Sequence, residues 1–585
     1  MKKSIPSDLS LNNKLVFIVS FSILLVIAFL IRAWNLTGVP GGLYWDEMDV
    51  GYQAYSILKT GKDYFGNVPF LTVHSFADFR APMLIYLTIP FIYLFDLTAL
   101  GVRMPVAVFG TISVLLTYML VQELYKKRTI SFIAAILITF APWNIQYSRM
   151  SFEAIVMLVF FLGGLICFFK GLTKPKYFIF SAILFSLDLF TYNTSKLFIP
   201  LVLLSLLVIY FRKLTLSRNL IIAVTIFALS FLASLYGTIF LNGGQRFAEI
   251  SVFTDPQIAT QVDFLRYQSG TSYNGTEAGQ SPRFLDKVVY NKFALQIDRI
   301  TQNYLQVFST DFLFINGDPN LRHSPSIVGE LYRIEALTIL LGLAFLLLNL
   351  KKDNKIPLFL ISWILIAPLS AAVTREGGNH ATRLFFLFPV LTIVSSLGIY
   401  YLTTLLPKKL IVLGITPIIL VWVLNTTSFL NFYYGPYNLE AARAFHYGFD
   451  EVAQKALKNK DSYDYVIIDD KSDSGLMNYL FASKYDPSVF QSKVKDLRTQ
   501  FIDFEADQLD NIIFMRSGTR NWENAFGKNL LDKSYLLLVS ANQLNEETPE
   551  NVAKKLTPTQ KHLDTILYRT GNPAFYEISS RPDKL

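Results

Sequence analysis

The sequence predicts a polytopic α-helical membrane protein of about 11–12 transmembrane helices, followed by a C-terminal extracytoplasmic α/β domain. Three observations carry that expectation. Hydrophobic residues make up 52% of the 585 residues, and the mean hydropathy is +0.38. Charged residues are 17%, against roughly 25% in soluble domains. The apolar residues fall in runs long enough to cross ~30 Å of hydrocarbon, and those runs stop near residue 430.

Apolar runs lie at about 15–33, 82–97, 101–122, 130–146, 151–169, 177–192, 195–211, 219–241, 335–350, 356–373, 383–403 and 410–428. The first follows Lys2, Lys3 and Lys14 and ends at Arg32-Ala33-Trp34-Asn35, an aromatic interface edge without a small-residue cleavage pattern. It reads as a retained helix. Short basic loops separate later runs: Lys126-Lys127-Arg128, Lys170 to Lys176, Arg212-Lys213 with Arg218, Lys351-Lys352 with Lys355, and Lys408-Lys409. Basic loops mark the cytoplasmic face, so these and the N-terminus are placed there. The map closes if 82–122 makes one net crossing, with one of its two runs re-entrant or juxtamembrane. Loops 34–80 and 242–334, the turns near 143–150, 192–196 and 374–382, and the tail then share the outer side.

Composition excludes several classes. Cys167 is the one cysteine, so intrachain disulfides and a cysteine metal site are ruled out. The net charge of +9 sits in short loops as a topology signal, which argues against a nucleic-acid partner. The organisation is a membrane domain, 1–430, and a soluble domain, 431–585. In the tail, Tyr465 to Ile468, Asn511 to Phe514 and Tyr535 to Val539 read as buried strands. Leu439 to Leu457 carries helical spacing, and Thr548-Pro549-Glu550 starts another helix with a capping hydroxyl and proline at the first position. Loop 254–282, rich in Gly, Ser and Thr, reads as mobile.

Candidate chemistry falls on the outer side. In Gly41-Gly42-Leu43-Tyr44-Trp45-Asp46-Glu47, two glycines permit a turn and the acids open a helix running to Leu58. An acidic first turn balances the helix dipole; a carboxylate at the bilayer surface also suits a general base. Arg80-Ala81-Pro82 re-enters the membrane. Its arginine either snorkels or binds phosphate at headgroup depth, where a guanidinium fork fits. Arg149 and Glu153 are four apart, which allows a local ion pair or a second acidic locus facing Asp46. Asp188 lies within an apolar run, costly unless it faces the bundle interior or water. Tyr192, Asn193 and Lys196 occupy the adjacent turn. Asp311 to His323 includes Asp318, Arg322 and His323, while His380 and Arg383 precede a helix. No ligand spacing supports a His–Asp metal cluster.

These residues resemble the GT-C superfamily of polyprenyl-phosphate-sugar glycosyltransferases, in the branch of protein O-mannosyltransferases and lipid A aminoarabinose transferases. The resemblance covers roughly 10–430. It rests on the order of Asp46-Glu47, Arg80-Ala81-Pro82, Val102-Arg103-Met104-Pro105, Ser148-Arg149 to Glu153, the Phe312 to His323 stretch and the late His380 and Arg383. The family usually has Pro-Pro where this chain has Ala81-Pro82, and commonly Asp where it has Glu153. The resemblance implies an acceptor hydroxyl, on a lipid, glycan or protein, displacing a polyprenyl phosphate from a sugar with inversion. Asp46 would be the base, Glu47 its support and Glu153 a second acid. Arg80, with Arg149 or Lys196 as lesser candidates, would stabilise the phosphate. Tyr192, Asp318, Arg322, His323, His380 and Arg383 would line the substrate site. A lipid phosphate carries less charge than a nucleotide diphosphate, so arginine and lysine suffice. No cofactor is required, and a divalent metal is left open. The expected location is the plasma membrane.

Two other classes predict different patterns. A secondary transporter places ionisable residues near mid-membrane on paired half-repeats; here the acids cluster in outer loops and no halves are visible. A non-catalytic receptor or scaffold acting through the tail requires that Asp46→Asn change nothing.

Overall fold

The computed structural model describes residues 14–76, 79–274, 282–350, 355–469, 475–500, 505–515, 533–542, 544, 548–556 and 558–581. Each of the expected apolar runs is helical, with breaks at Ala141 in run 130–146 and at Ala367-Pro368 in run 356–373. Among the described residues, eight helices are long and apolar enough to cross a membrane: Lys14–Ala33, Ala99–Tyr125, Ala154–Gly171, Ser195–Lys213, Arg218–Phe240, Lys355–Ala372, Leu387–Leu405 and Lys408–Glu440. Three shorter apolar helices, Met83–Phe95, Arg128–Phe140 and Tyr177–Leu189, accompany them. Met83–Phe95 has 13 residues, about 20 Å of helix at 1.5 Å per residue, short of the ~30 Å hydrocarbon thickness. In the stretch 82–122 it is therefore the long helix Ala99–Tyr125 that has spanning length. Arg128–Phe140 stops before the expected end because Pro142 excludes Ala141 from helical geometry.

The chain divides into two compact units. One is Met1–Arg32, Phe76–Met83 and Val106–Phe429; the other is Ala33–Ser75, Leu84–Pro105 and Leu430–Leu585. The second unit is thus larger than the soluble tail, because most of loop 34–80 clusters with it.

In the first unit, Ala154–Gly171 is the central helix, with 83% of its apolar window buried. Lys14–Ala33 and Arg218–Phe240 bury only 11% and 17%. Such apolar, uncovered helices suit lipid as their solvent. Helices Arg333–Asn349 and Leu387–Leu405 cross at backbone contact. A Cβ on Gly342 would lie 1.9 Å from the Val394 carbonyl oxygen, and one on Gly398 would lie 1.8 Å from that of Thr338. Thr338 and Ser395 hydroxyls join across the crossing at 2.7 Å. Small residues with a hydroxyl pair are a known means of holding helices together in lipid.

The second unit contains a seven-stranded mixed sheet: β1 (Tyr465–Asp469), β2 (Arg498–Gln500), β3 (Glu505–Leu509), β4 (Ile512–Met515), β5 (Tyr535–Ser540), β6 (Gln560–Leu567) and β7 (Pro573–Ser580), in the order β2-β3-β4-β1-β5-β7-β6. β1 is parallel to both neighbours, with Ile467 opposite Ile513 and Leu537; the remaining pairs are antiparallel. The three expected strands are β1, β4 and β5, whose continuous apolar runs match burial on both faces. Helix Pro549–Lys555 begins as expected, with the Thr548 hydroxyl accepting from the Asn551 amide.

Three expectations are corrected. Leu439 to Leu457 is not one helix: Pro436–Glu440 and Phe449–Asn459 flank a turn in which His446 (φ 52°) and Gly448 (φ 93°) adopt left-handed backbone. Loop 254–282 is helical over Pro256–Asn274; its residues 275–281 lie outside the described residues. Arg32 is no interface edge. It is fully buried, donating to the Ala28 carbonyl at 2.8 Å and to Asn144 Oδ1 at 2.6 Å.

Candidate functional site

The acidic pair sits at the start of helix Trp45–Thr60, in the second unit. The turn before it needs glycine: Gly42 has φ +86°, and a Cβ there would lie 2.2 Å from the Phe445 carbonyl oxygen. The two acids are then treated differently. Glu47 is fully buried, and Arg103 grips both of its oxygens, Nε to Oε1 and Nη2 to Oε2, each at 2.8 Å. The same guanidinium donates to the carbonyls of Leu36 at 3.1 Å, Pro40 at 2.8 Å and Gly42 at 2.7 Å. Glu47 Oε2 also accepts from the Tyr44 amide at 3.2 Å. Asp46 is half-buried in the first helical turn, at the positive end of the helix dipole.

The other predicted site residues belong to the first unit. Arg149 is fully buried and donates to the carbonyls of Ile31 and Arg32, each at 2.9 Å. It thereby satisfies acceptors at the C-terminal end of the first helix. Glu153 is half-buried just before helix Ala154–Gly171, and Arg80 is buried. Asp188 is buried and accepts from the Ser195 hydroxyl at 2.8 Å. Arg322 turns back on its own loop, its Nε 3.1 Å from Asn320 Oδ1.

Tyr192, Lys196 and Arg383 come together on one cavity of about 290 Å³, joined by Arg246. Leu197, Leu235, Phe247, Ile250 and Val373 supply apolar wall. Lys196 Nζ donates to the Thr238 hydroxyl at 2.8 Å. Arg383 Nη1 donates to the Thr374 hydroxyl and the Arg375 carbonyl, both at 2.8 Å. Burial opposes the Arg383 charge and holds its pKa below the usual guanidinium value. Three cationic side chains thus face an apolar wall. The sequence reading missed Arg246, whose only signal is its place after the Gly243-Gly244 turn.

Asp318, His323 and His380 also meet, each offering a ligand atom within 4.8 Å of the others. Asp318 Oδ2 pairs with His323 Nδ1 at 2.9 Å and accepts from the Ala381 amide at 2.8 Å; Oδ1 accepts from the Asn320 amide at 2.8 Å. The two imidazole rings are 4.6 Å apart. Burial, with positive charge from Arg383 beside it, lowers the His380 pKa well below the ordinary imidazole value, so the ring is neutral. Glu330 accepts from the Asp318 amide at 3.0 Å; burial and the Asp318 charge raise its pKa well above the carboxylate norm.

Comparison with known proteins fits this architecture. Residues 79–236 match the model of the dolichyl-phosphate-mannose-protein mannosyltransferase family. No curated protein matches the sequence. Among solved structures, ArnT from Cupriavidus metallidurans bound to undecaprenyl phosphate aligns with a TM-score of 0.51 at 12% identity, over 97% of this chain and 98% of that one. ArnT in its apo state gives 0.50 at 10% identity over the same shares. The oligosaccharyltransferase AglB from Archaeoglobus fulgidus, in complex with an inhibitory peptide and a dolichol-phosphate, gives 0.49 at 13% identity over 81% of this chain; the chain spans 64% of its length. The fold is similar to that of ArnT, a fold of the GT-C type, and residues 79–236 match the dolichyl-phosphate-mannose-protein mannosyltransferase family.

Proposed function

We propose that the protein is a membrane glycosyltransferase that moves a sugar from a polyprenyl phosphate to an acceptor hydroxyl on the extracytoplasmic side, with its N-terminus in the cytoplasm. The cavity carries this reading: Lys196, Arg246 and Arg383 collect on one apolar-walled space. A prenyl phosphate is itself an anion on a hydrocarbon chain, so it needs both surfaces. The undecaprenyl phosphate bound to ArnT supports the same ligand class.

The acceptor oxygen attacks the anomeric carbon as the bond from that carbon to the phosphate oxygen breaks. Attack from the opposite face inverts the centre. The bonding pair leaves with the phosphate, where the cavity cations meet its growing charge. The family resemblance assigns the hydroxyl proton to Asp46. Glu47, locked by Arg103, holds the turn that presents Asp46. Among the predicted phosphate ligands, the cavity favours Lys196 over Arg80 and Arg149, and adds Arg246 and Arg383.

The test is transfer by the full chain in nanodiscs, given polyprenyl-phosphate hexoses and a cell-envelope extract. Labelled sugar should appear on an acceptor. Lys196→Ala and Arg383→Ala should each weaken undecaprenyl-phosphate binding about tenfold or more, the value of one charge-assisted hydrogen bond. Unchanged binding in both variants would remove the cavity from the mechanism.

A further inference from the structure

We propose that Asp318, His323 and His380 form a binding site for one divalent transition ion, of which Zn²⁺ is the best chemical match. Two of the five histidines in the chain lie in this cluster, brought there from segments almost sixty residues apart. Two imidazoles with one carboxylate are a donor set suited to zinc, and three protein ligands leave a position for water or a substrate oxygen.

The surroundings are arranged as they are around metal ligands. Asp318 is fixed by the amides of Asn320 and Ala381 before any ion arrives. Asp318 Oδ2 and His323 Nδ1 lie 2.9 Å apart, close enough for both to bind one ion in place of the proton they share. His380 Nδ1 is buried without a hydrogen-bond partner among the described residues. A buried polar atom left that way costs stability unless something occupies it, and it faces a second imidazole 4.6 Å away. Asp318 supplies the negative charge that balances part of the ion's own.

The experiment uses the tag-free full chain in nanodiscs, stripped with chelator and dialysed against Zn²⁺ alone. Metal content is read by mass spectrometry, and Co²⁺ substitution is read by its visible absorption. The wild type should retain close to one ion per chain and develop a tetrahedral Co²⁺ spectrum. His380→Ala should lose both, and because His380 Nδ1 has no hydrogen-bond partner among the described residues, this variant should keep its fold. His323→Ala should lose both as well. The proposal falls if the wild type holds no more zinc than the two variants, or if both variants retain the ion. The readout involves neither sugar nor lipid, so it stands or fails apart from the transferase reading.

Discussion

Arg103 holds Glu47 by both carboxylate oxygens at 2.8 Å, and neither side chain is exposed to solvent. The bond spans 56 positions and ties the start of Ala99–Tyr125 to the first turn of Trp45–Thr60. Breaking a buried pair leaves an uncompensated charge, which costs about 3–5 kcal/mol. Arg103→Met should therefore lower the unfolding midpoint sharply. Arg103→Lys should rescue little, because an ammonium cannot reach two carboxylate oxygens and three carbonyls at once.

The two neighbouring acids should separate by experiment. Asp46→Asn should leave folding and membrane insertion intact while lowering transfer by about 10²–10⁴-fold, the usual contribution of a general base. Glu47→Gln should lower stability first, since it removes the charge that Arg103 faces. A fully active Asp46→Asn would remove the base from the proposed mechanism and favour a non-catalytic role.

Gly42 tests the turn that presents the pair. Left-handed backbone costs a side-chain-bearing residue about 1–2 kcal/mol, and the Cβ would also meet the Phe445 carbonyl at 2.2 Å. Gly42→Ala should destabilise the protein by more than the backbone term alone. Gly41→Ala is the control: its added Cβ would meet only side-chain atoms, at 3.2 Å or more. A difference between the two variants in protease resistance or thermal midpoint reads the geometry directly.

The helices were legible in the sequence because burial in lipid writes itself as continuous apolar runs, and β1, β4 and β5 because burial on both faces does the same in short form. Pro549 after Thr548 marked its helix start by local chemistry. What escaped were relations between distant segments. Arg103 looked like part of a motif, but its partner lies on a different helix, and nothing local to either residue announces the pair. Arg149 was weighed against Glu153, four residues on; its visible bonds are to Ile31 and Arg32. The cavity joins Lys196, Arg246 and Arg383 from three segments. The Asp318–His380 meeting has no ligand spacing to read because the two come from separate loops.

The C-terminal sheet offers a pH test. Lys455 Nζ lies 2.7 Å from both Asp564 Oδ2 and Glu577 Oε2. Burial opposes the Lys455 charge, but the hydrogen bonds to Asp564 and Glu577 outweigh it and raise its pKa above the ordinary lysine value. The bond from Lys455 lowers that of Asp564. A raised lysine stabilises the fold fully below its unfolded pKa of about 10.4 and loses that contribution as pH climbs through the folded value. A lowered aspartate stabilises above about 3.9 and loses its contribution as pH falls through its folded value. Lys455→Met should therefore cost about 1 kcal/mol, at the upper end for a partly exposed pair, across roughly pH 4–10. The gap from wild type should close at both extremes when unfolding is followed by strand-sensitive circular dichroism. A gap that stays constant to low pH would assign the contribution to the aliphatic stem of Lys455 packing on the sheet instead of to its charge.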